Sequence, residues 1–329
     1  MDFVDAYLLA GHRSTFYMLS VISNAQLVQA LGDGLALHGG GGAGGSGFSG
    51  EGGRSTEAQR HGDGQRGRTE KGIADHASVL QWARRVYWLA GPFFDGPALH
   101  QAFLKKALAQ GVQRLHDRVV GLDHTATQIT GVRLASGGTL SCAQVVNAAG
   151  AWGGEVAAMA GVQLPVVGAR RTVFVLSCPE PLPQCPLLID PSGWWLRPEG
   201  RFLISGSEPT HTAPGLPLEP DWSEWNDEQW ASLAHRIPAL AALRVERAWA
   251  GYYEMNTFDH NAVIGPHPEL GNLYFINGFS GHGMQHAAGA GLALAEWMLL
   301  GQAKTIAVEE LGFERLAQNR PLRELAVIG

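Results

Sequence analysis

Charge is scarce in this chain. Asp, Glu, Lys and Arg make up 16% of its 329 residues, where about 25% is usual, and acidic residues outnumber basic ones 30 to 24 for a net charge of −6. A nucleic-acid backbone rewards basic patches, so no nucleic-acid partner is expected. Cysteine is scarcer still. Cys142, Cys178 and Cys185 have no metal-site spacing and cannot all pair, so they read as reduced thiols and the expected location is cytoplasmic. Long apolar runs are missing too: Glu155 and Glu296 interrupt the best candidates for the roughly 18 to 20 uncharged residues of a membrane helix. Asp2 and Asp5 stand where a secretory signal would be basic. The sequence therefore reads as a soluble chain with no membrane insertion.

Glycine is abundant, and unevenly so. Of 44 glycines, 14 fall within residues 39–72, where Phe48 is the one large apolar side chain. Such sequence gains too little from burial to offset the entropy of ordering it, so a disordered linker is expected there. The abrupt change of composition also suits a stretch read in an altered frame. Residues 1–38 show no regular pattern and are expected to be an irregular remnant.

From Gly91 onward the patterning becomes regular. Gly96-Pro97 opens a helix whose apolar face, Leu99, Phe103, Ala107 and Leu108, stops at Gly111. Short β-rich runs follow at residues 112–115, 118–123, 129–134 and 139–143, the last two joined as a hairpin through residues 135–138. An apolar strand over residues 144–148 feeds Gly150, Gly153 and Gly154 and then a helix, making a strand, glycine turn, helix unit. Strands, Pro-rich turns and a Trp-bearing helix over residues 223–236 fill the middle. The spacing of Trp222, Trp225 and Trp230 suits core or interface packing. Strands near residues 245–252 and 273–276 and a helix over residues 284–300 close the chain. The expected divisions are 85–165 and 245–329 as two parts of one domain, with 166–244 as a second.

Chemistry concentrates in two stretches. Residues 273–291 read as a strand, a tight turn through Gly278, Gly281 and Gly283, and a helix start whose free N–H groups attract negative charge. A phosphate or an electron-rich ring would suit it equally. His282 and His286 stand four apart, but no Glu or Cys joins them, so no metal site is expected. Residues 249–268 crowd Tyr252, Tyr253, Glu254, Asp259 and His260 together, either as an aromatic strand with a polar turn or as a pocket wall. Strand alternation puts Tyr252 and Glu254 on one face and Tyr253 on the other.

Five stretches, GPFFDGPALHQAFLKKA from Gly91, VVNAAGAW from Val145, GWWLRPEG from Gly193, WAGYYEMNTFDHNAVIGPHP from Trp249 and GFSGHGMQHAAGAG from Gly278, resemble the FAD-dependent superfamily of D-amino-acid, glycine and sarcosine oxidases. The resemblance covers roughly three quarters of the chain, from about residue 91 to the C-terminus. It implies an α/β fold: a doubly wound FAD-binding domain in two sequence segments, here lacking its first βαβ unit, with an antiparallel-sheet substrate domain between them. It implies that Val119 meets the adenine through its backbone and that Ala148, Ala149, Gly150 and Trp152 line the dinucleotide. Gly251, Gly281, Gly283 and Met284 would border the flavin, with Tyr252, Tyr253, Gln285 and His282 as catalytic-site residues.

The departures from that family matter as much. Tyr253 stands where amino-acid-oxidising members have an Arg that grips the substrate carboxylate, and Gln285 where sarcosine oxidases have a Lys. Both replacements remove a fixed positive charge, so the expected substrate is a secondary amine or amine-like molecule. No Cys lies near Ala250 or Gln285, so the FAD would be non-covalent. The family opens with a strand, G-x-G-x-x-G, helix unit, and no such unit occurs before Gly91: residues 39–47 are glycine-rich but have no hydrophobic strand of the required kind before them and no amphipathic helix after. The expected activity is hydride transfer from a CH–NH donor to flavin. The alternative is a non-catalytic or truncated relative serving as an assembly or interaction module, whose protein partner is unknown.

Overall fold

The computed structural model describes residues 4–11, 14–21, 87–89 and 96–322, apart from 181, 183–184, 191, 210–213 and 216; the first three segments are described as backbone alone. The Gly-rich linker expected over residues 39–72 lies outside the described residues.

Before residue 96 the described elements are β1 (Val4–Gly11), β2 (Ser14–Val21) and β3 (Tyr87–Leu89). The irregular stretch expected over residues 1–38 is corrected: β1 and β2 pair antiparallel, Gly11 opposite Ser14. Both are short apolar runs with aromatic residues, which suit a pleated surface even without a glycine motif. Then come α1 (Gly96–Ala109), β4 (Val112–Leu115), β5 (Val119–His124), β6 (Ile129–Leu134), β7 (Thr139–Ser141) and β8 (Gln144–Ala148). A 3₁₀ turn, Gly150–Trp152, leads into α2 (Gly153–Ala158). The middle of the chain holds β9 (Val166–Ser177), β10 (Leu187–Ile189), β11 (Trp195–Glu199), β12 (Phe202–Gly206) and α3 (Asp227–Arg236). Last come β13 (Arg244–Asn256), β14 (Val263–Pro266), β15 (Leu273–Asn277), α4 (Gly283–Leu300) and α5 (Glu314–Ala317).

Three sheets organise these elements. The central sheet has the order β14-β15-β8-β2-β1-β4, in which β15, β8 and β2 run parallel. Parallel strands are covered on both faces, and β8 and β15 read accordingly as near-continuous buried runs. Alternation then sorts their side chains. Val145 and Phe275 point into a core with the β5-β6-β7 meander and α2, while Val146, Tyr274 and Ile276 point into a core with α1 and α4. Small residues Ala287, Gly291 and Ala295 on α4 are buried at the close approach of that helix.

The second six-stranded sheet is antiparallel, with the order β13-β9-β12-β11-β10-β3. Its core gathers Phe174, Leu176, Leu196 and Leu203 with Leu233 of α3 and with Leu240. Full burial of each such side chain contributes about 1.5 to 3 kcal/mol. The helix expected over residues 223–236 divides in two. Asn226 takes an extended conformation and its side chain accepts the Gln229 N–H, so a 3₁₀ turn, Trp222–Glu224, ends before α3 begins. Trp225 packs against Phe174 at 5.3 Å, but Trp222 remains 54% exposed and Trp230 39%. Arg197 pairs with Glu199 on its own strand.

Candidate functional site

The site is built where the antiparallel sheet meets the parallel one. β9 and β13 form a long ladder whose far end reaches the central sheet, with Gly251 opposite Arg171, Tyr252 opposite Arg170, Tyr253 opposite Ala169 and Glu254 opposite Gly168. Tyr252 meets the edge of Trp152 at 5.7 Å, so a residue of the glycine turn after β8 and one of β13 touch. Tyr253 faces the other way. Its ring is so close to Gly281 that a Cβ there would lie 2.7 Å from Cε2, and the Arg171 guanidinium sits 4.9 Å from its centroid.

Between β15 and α4 the chain makes an unusual turn. Gly278, Ser280 and Gly281 have φ of +78°, +50° and +97°, three left-handed conformations in four residues. The turn brings the start of α4 beside Tyr253 while leaving it uncapped: His282 at the N-cap makes no side-chain cap bond, and no acid stands in the first turn. The first N–H groups of a helix have no partner within it. α3, by contrast, carries both an Asn cap and two first-turn acids, Asp227 and Glu228. Gly281→Ala is expected to cost roughly 1 to 2 kcal/mol from its backbone conformation alone, with the Tyr253 contact added. Thermal denaturation checks this, and an unchanged midpoint would refute it.

At the end of β8, Ala148 and Ala149 are fully buried and Gly150 has φ +55°. Asn147 holds this turn, accepting the Ala149 N–H at 3.1 Å and donating to the Gly153 carbonyl at 2.8 Å. Asn277 of β15 packs so tightly on Gly153 that a Cβ there would lie 2.6 Å from its Nδ2. The Asn277 Oδ1 is buried without a hydrogen-bond partner.

The remaining residues singled out from sequence scatter around this junction. His282 and His286 rings lie 6.0 Å apart. With Gln285, Phe279, Gly289 and Val308 they line a cavity of about 350 Å³ on one side of α4. Among the described residues no three His, Cys, Asp or Glu side chains come together as metal ligands. Met284 turns instead toward Gly96 of α1. Gly251 is partly exposed on β13, and Gly283 is the first residue of α4. Val119 stands apart from them in the meander, opposite Leu134, with its side chain in the core.

Two further chemical groups meet at the junction: Arg171, which was not among the sequence candidates, and Glu254, which was one of the polar residues crowded into residues 249–268. Arg171, 8% exposed, is desolvated, which lowers its pKa, while Tyr253, Glu208 and Glu224 oppose that. Glu254 accepts the Gly278 N–H at 3.1 Å. Burial pushes its pKa up to about 7 against the pull of the Gly278 and Phe279 N–H groups. Glu254 keeps some accessible surface, although its carboxyl lies deep in protein, and desolvation governs its proton. The Tyr253 hydroxyl is pushed up by burial, with Arg171 opposing, so it stays a protonated donor near neutrality. Signals for both residues existed: an Arg in an apolar strand run, and an acid inside an aromatic one. Neither type of signal names a partner.

Residues 53–297 match the family model described as FAD dependent oxidoreductase, the DAO family. The chain is 37% identical over 270 residues to FAD-dependent oxidoreductase domain-containing protein 1 of Xenopus laevis, an alignment covering 72% of this chain and 54% of that one. It is 28% identical over 214 residues to mouse mitochondrial sarcosine dehydrogenase, covering 60% of this chain and 23% of that protein. Among solved structures, L-proline dehydrogenase from P. horikoshii superposes with a TM-score of 0.61 at 28% identity, covering 69% of this chain and 61% of the other. Glycine oxidase from Geobacillus kaustophilus, at 20% identity, covers 66% of this chain and 57% of its own with a TM-score of 0.56, and so shows the fold alone. The chain spans about half the length of the Xenopus relative. No described helix is long and apolar enough to cross a membrane. With an α/β FAD-binding fold, an antiparallel second sheet and FAD as the family's cofactor, this chain belongs to the DAO family of FAD-dependent oxidoreductases.

Proposed function

We propose that the chain acts in the oxidation of a secondary-amine or amino-acid-like substrate at the carbon next to nitrogen. The observation that carries this reading is the uncapped start of α4 held against Tyr253. Its residues fit FAD at two points. The free N–H groups of the first turn suit the flavin edge that gains negative charge, and the orphaned Asn277 Oδ1 suits a hydroxyl donor at the ends of the parallel strands. FAD, when bound, supplies the two-electron acceptor.

The chain's own residues do the rest. In this reading Val119, Ala148, Ala149, Gly150 and Trp152 border the dinucleotide, and Gly251, Gly281, Gly283 and Met284 border the ring. Tyr253 donates its hydroxyl proton as a hydrogen bond, Tyr252 and Gln285 orient the amine, and His282 gives polar support. Tyr253 and Gln285 are both uncharged, which favours an amine-like substrate over one held only through a carboxylate. The three free thiols support a reducing compartment such as the cytoplasm.

The test is a visible absorption spectrum of the purified chain with and without added FAD. Stoichiometric flavin released on denaturation supports the reading; a colourless protein that FAD cannot convert refutes it. If FAD binds, Tyr253→Phe and Gln285→Ala are each expected to lower kcat/KM toward secondary N-methyl amines about tenfold, the worth of one hydrogen bond. Unchanged turnover in both would discard these residue roles.

One observation favours the second reading, a non-catalytic assembly or interaction module. β2 is the strand that runs parallel beside β8, yet the six residues after it, 22–27, contain no glycine to let a backbone approach a pyrophosphate. Failure to bind FAD by a folded chain is the result that this reading expects.

A further inference from the structure

The two halves of the proposed site come from different sheets. Tyr253 belongs to β13, while the N–H groups of α4 follow β15. Something must hold them in register, and ladder hydrogen bonds do not, because Gly278, Phe279 and Ser280 lie beyond the end of β15. Their N–H groups converge on a single residue. The Glu254 carboxylate accepts the Gly278 N–H at 3.1 Å and draws on that of Phe279, and the Glu254 carbonyl accepts the Ser280 N–H at 3.1 Å. Ser280 completes the strap: its Oγ accepts the Asn256 N–H at 3.0 Å and donates to the Gly278 carbonyl at 3.1 Å.

We propose that Glu254 is the positioning residue of the site, bolting the turn before α4 to β13 and so fixing the N–H groups of α4 relative to Tyr253. A carboxylate so deeply placed is costly unless its acceptors are used, and no packing requirement on this face calls for an acid. What it supplies is acceptor capacity for the consecutive N–H groups of Gly278 and Phe279, in a turn whose left-handed residues Gly278, Ser280 and Gly281 keep it out of a ladder. The turn has little room to settle elsewhere, since a Cβ at Gly278 would lie 3.0 Å from Asn256 Cβ and 3.0 Å from a Val166 methyl. On the other side of the strand, Tyr253 closes on Gly281. Neighbouring residues of one strand thus grip the two ends of the same turn, Glu254 at its beginning and Tyr253 at its end.

The strap stands without FAD; only its consequence for the flavin rests on the proposed function. The experiment therefore reads the chain without cofactor, by hydrogen exchange resolved over residues 278–285. Glu254→Leu, which keeps bulk and removes the acceptors, is expected to speed exchange of the Gly278 and Phe279 amides at least tenfold while leaving the β8 amides unchanged. Glu254→Gln retains one acceptor oxygen and is expected to restore protection to within about threefold of the parent. If the leucine variant does not fold, Glu254→Asp withdraws the carboxylate by one methylene with its charge intact, and the same local loss is expected. Protection unchanged in Glu254→Leu or Glu254→Asp would overturn the proposal, as would a glutamine variant no better than leucine. Failure of FAD to bind the parent chain would count against the proposed function and leave this result standing.

Discussion

Arg315→Leu is expected to destabilise the chain by about 3 to 5 kcal/mol, measured by chemical denaturation, because it leaves a buried acid and several carbonyls without their donor. The Arg315 side chain is 3% exposed and that of Asp259 is sealed. Nε donates to Asp259 Oδ2 at 2.8 Å and Nη2 to Oδ1 at 3.2 Å, a two-pronged pairing. The remaining donors serve the carbonyls of Leu311, Gly312, Asn261 and Ala262. The guanidinium thus ties the loop after β13, which borders the cavity beside His282 and Gln285, to the C-terminal helix α5. Burial alone would raise the Asp259 pKa, but the Arg315 hydrogen bonds and the Leu322 N–H outweigh it and hold the carboxyl below its usual value. A depressed folded pKa contributes stability above the unfolded value near 3.8, lost as pH falls through the folded one. The double variant Arg315→Leu with Asp259→Leu should recover part of the loss, since a buried pair exchanged whole costs less than one broken. A single-variant loss under about 1 kcal/mol would show that water replaces the guanidinium.

Glu254→Gln should flatten the pH dependence of stability. The folded pKa of Glu254 is raised from 4.5 to about 7, the reverse of the Asp259 case. Below pH 4.5 both folded and unfolded states hold the proton and burial costs nothing in charge; above about 7 both are ionised and the folded state bears the full desolvation. The parent chain should therefore lose roughly 2 to 3 kcal/mol relative to the glutamine variant as pH rises across that window, allowing for the partial exposure of the residue. Comparing the two proteins cancels other groups that titrate there, His267 included, whose pKa burial lowers. Parallel stability curves from pH 4 to 8 would show that the carboxyl is hydrated and ordinary.

Periodicity made much of the architecture legible. The alternation of β6, the all-apolar runs of β8 and β15 and the glycine stop at Gly111 carry local physical signals, and the helices and strands from residue 96 onward follow them. The motif strings also carried the family, because glycines at turns and small residues on α4 answer to backbone approach, which is written in residue type. Asn226 shows the limit of that reading. A cap signal inside an apolar stripe divided one expected helix into two elements. Nor did composition reveal β1 and β2, a local hairpin whose outer partners lie far along the chain, β4 beside β1 and β8 beside β2.

By itself the sequence determined the family, the order of most elements from residue 96 onward and the chemical types gathered near residues 249–291, since each depends on side chains close together along the chain. Only the tertiary structure decided what those side chains do to one another. That Glu254 captures the turn at Gly278, that Arg315 closes on Asp259 and that Tyr253 rests on Gly281 are long-range pairings, with partners 24, 56 and 28 positions away. The energy of each comes from desolvation and directional hydrogen bonding, which exist only once the sheets have packed and excluded water.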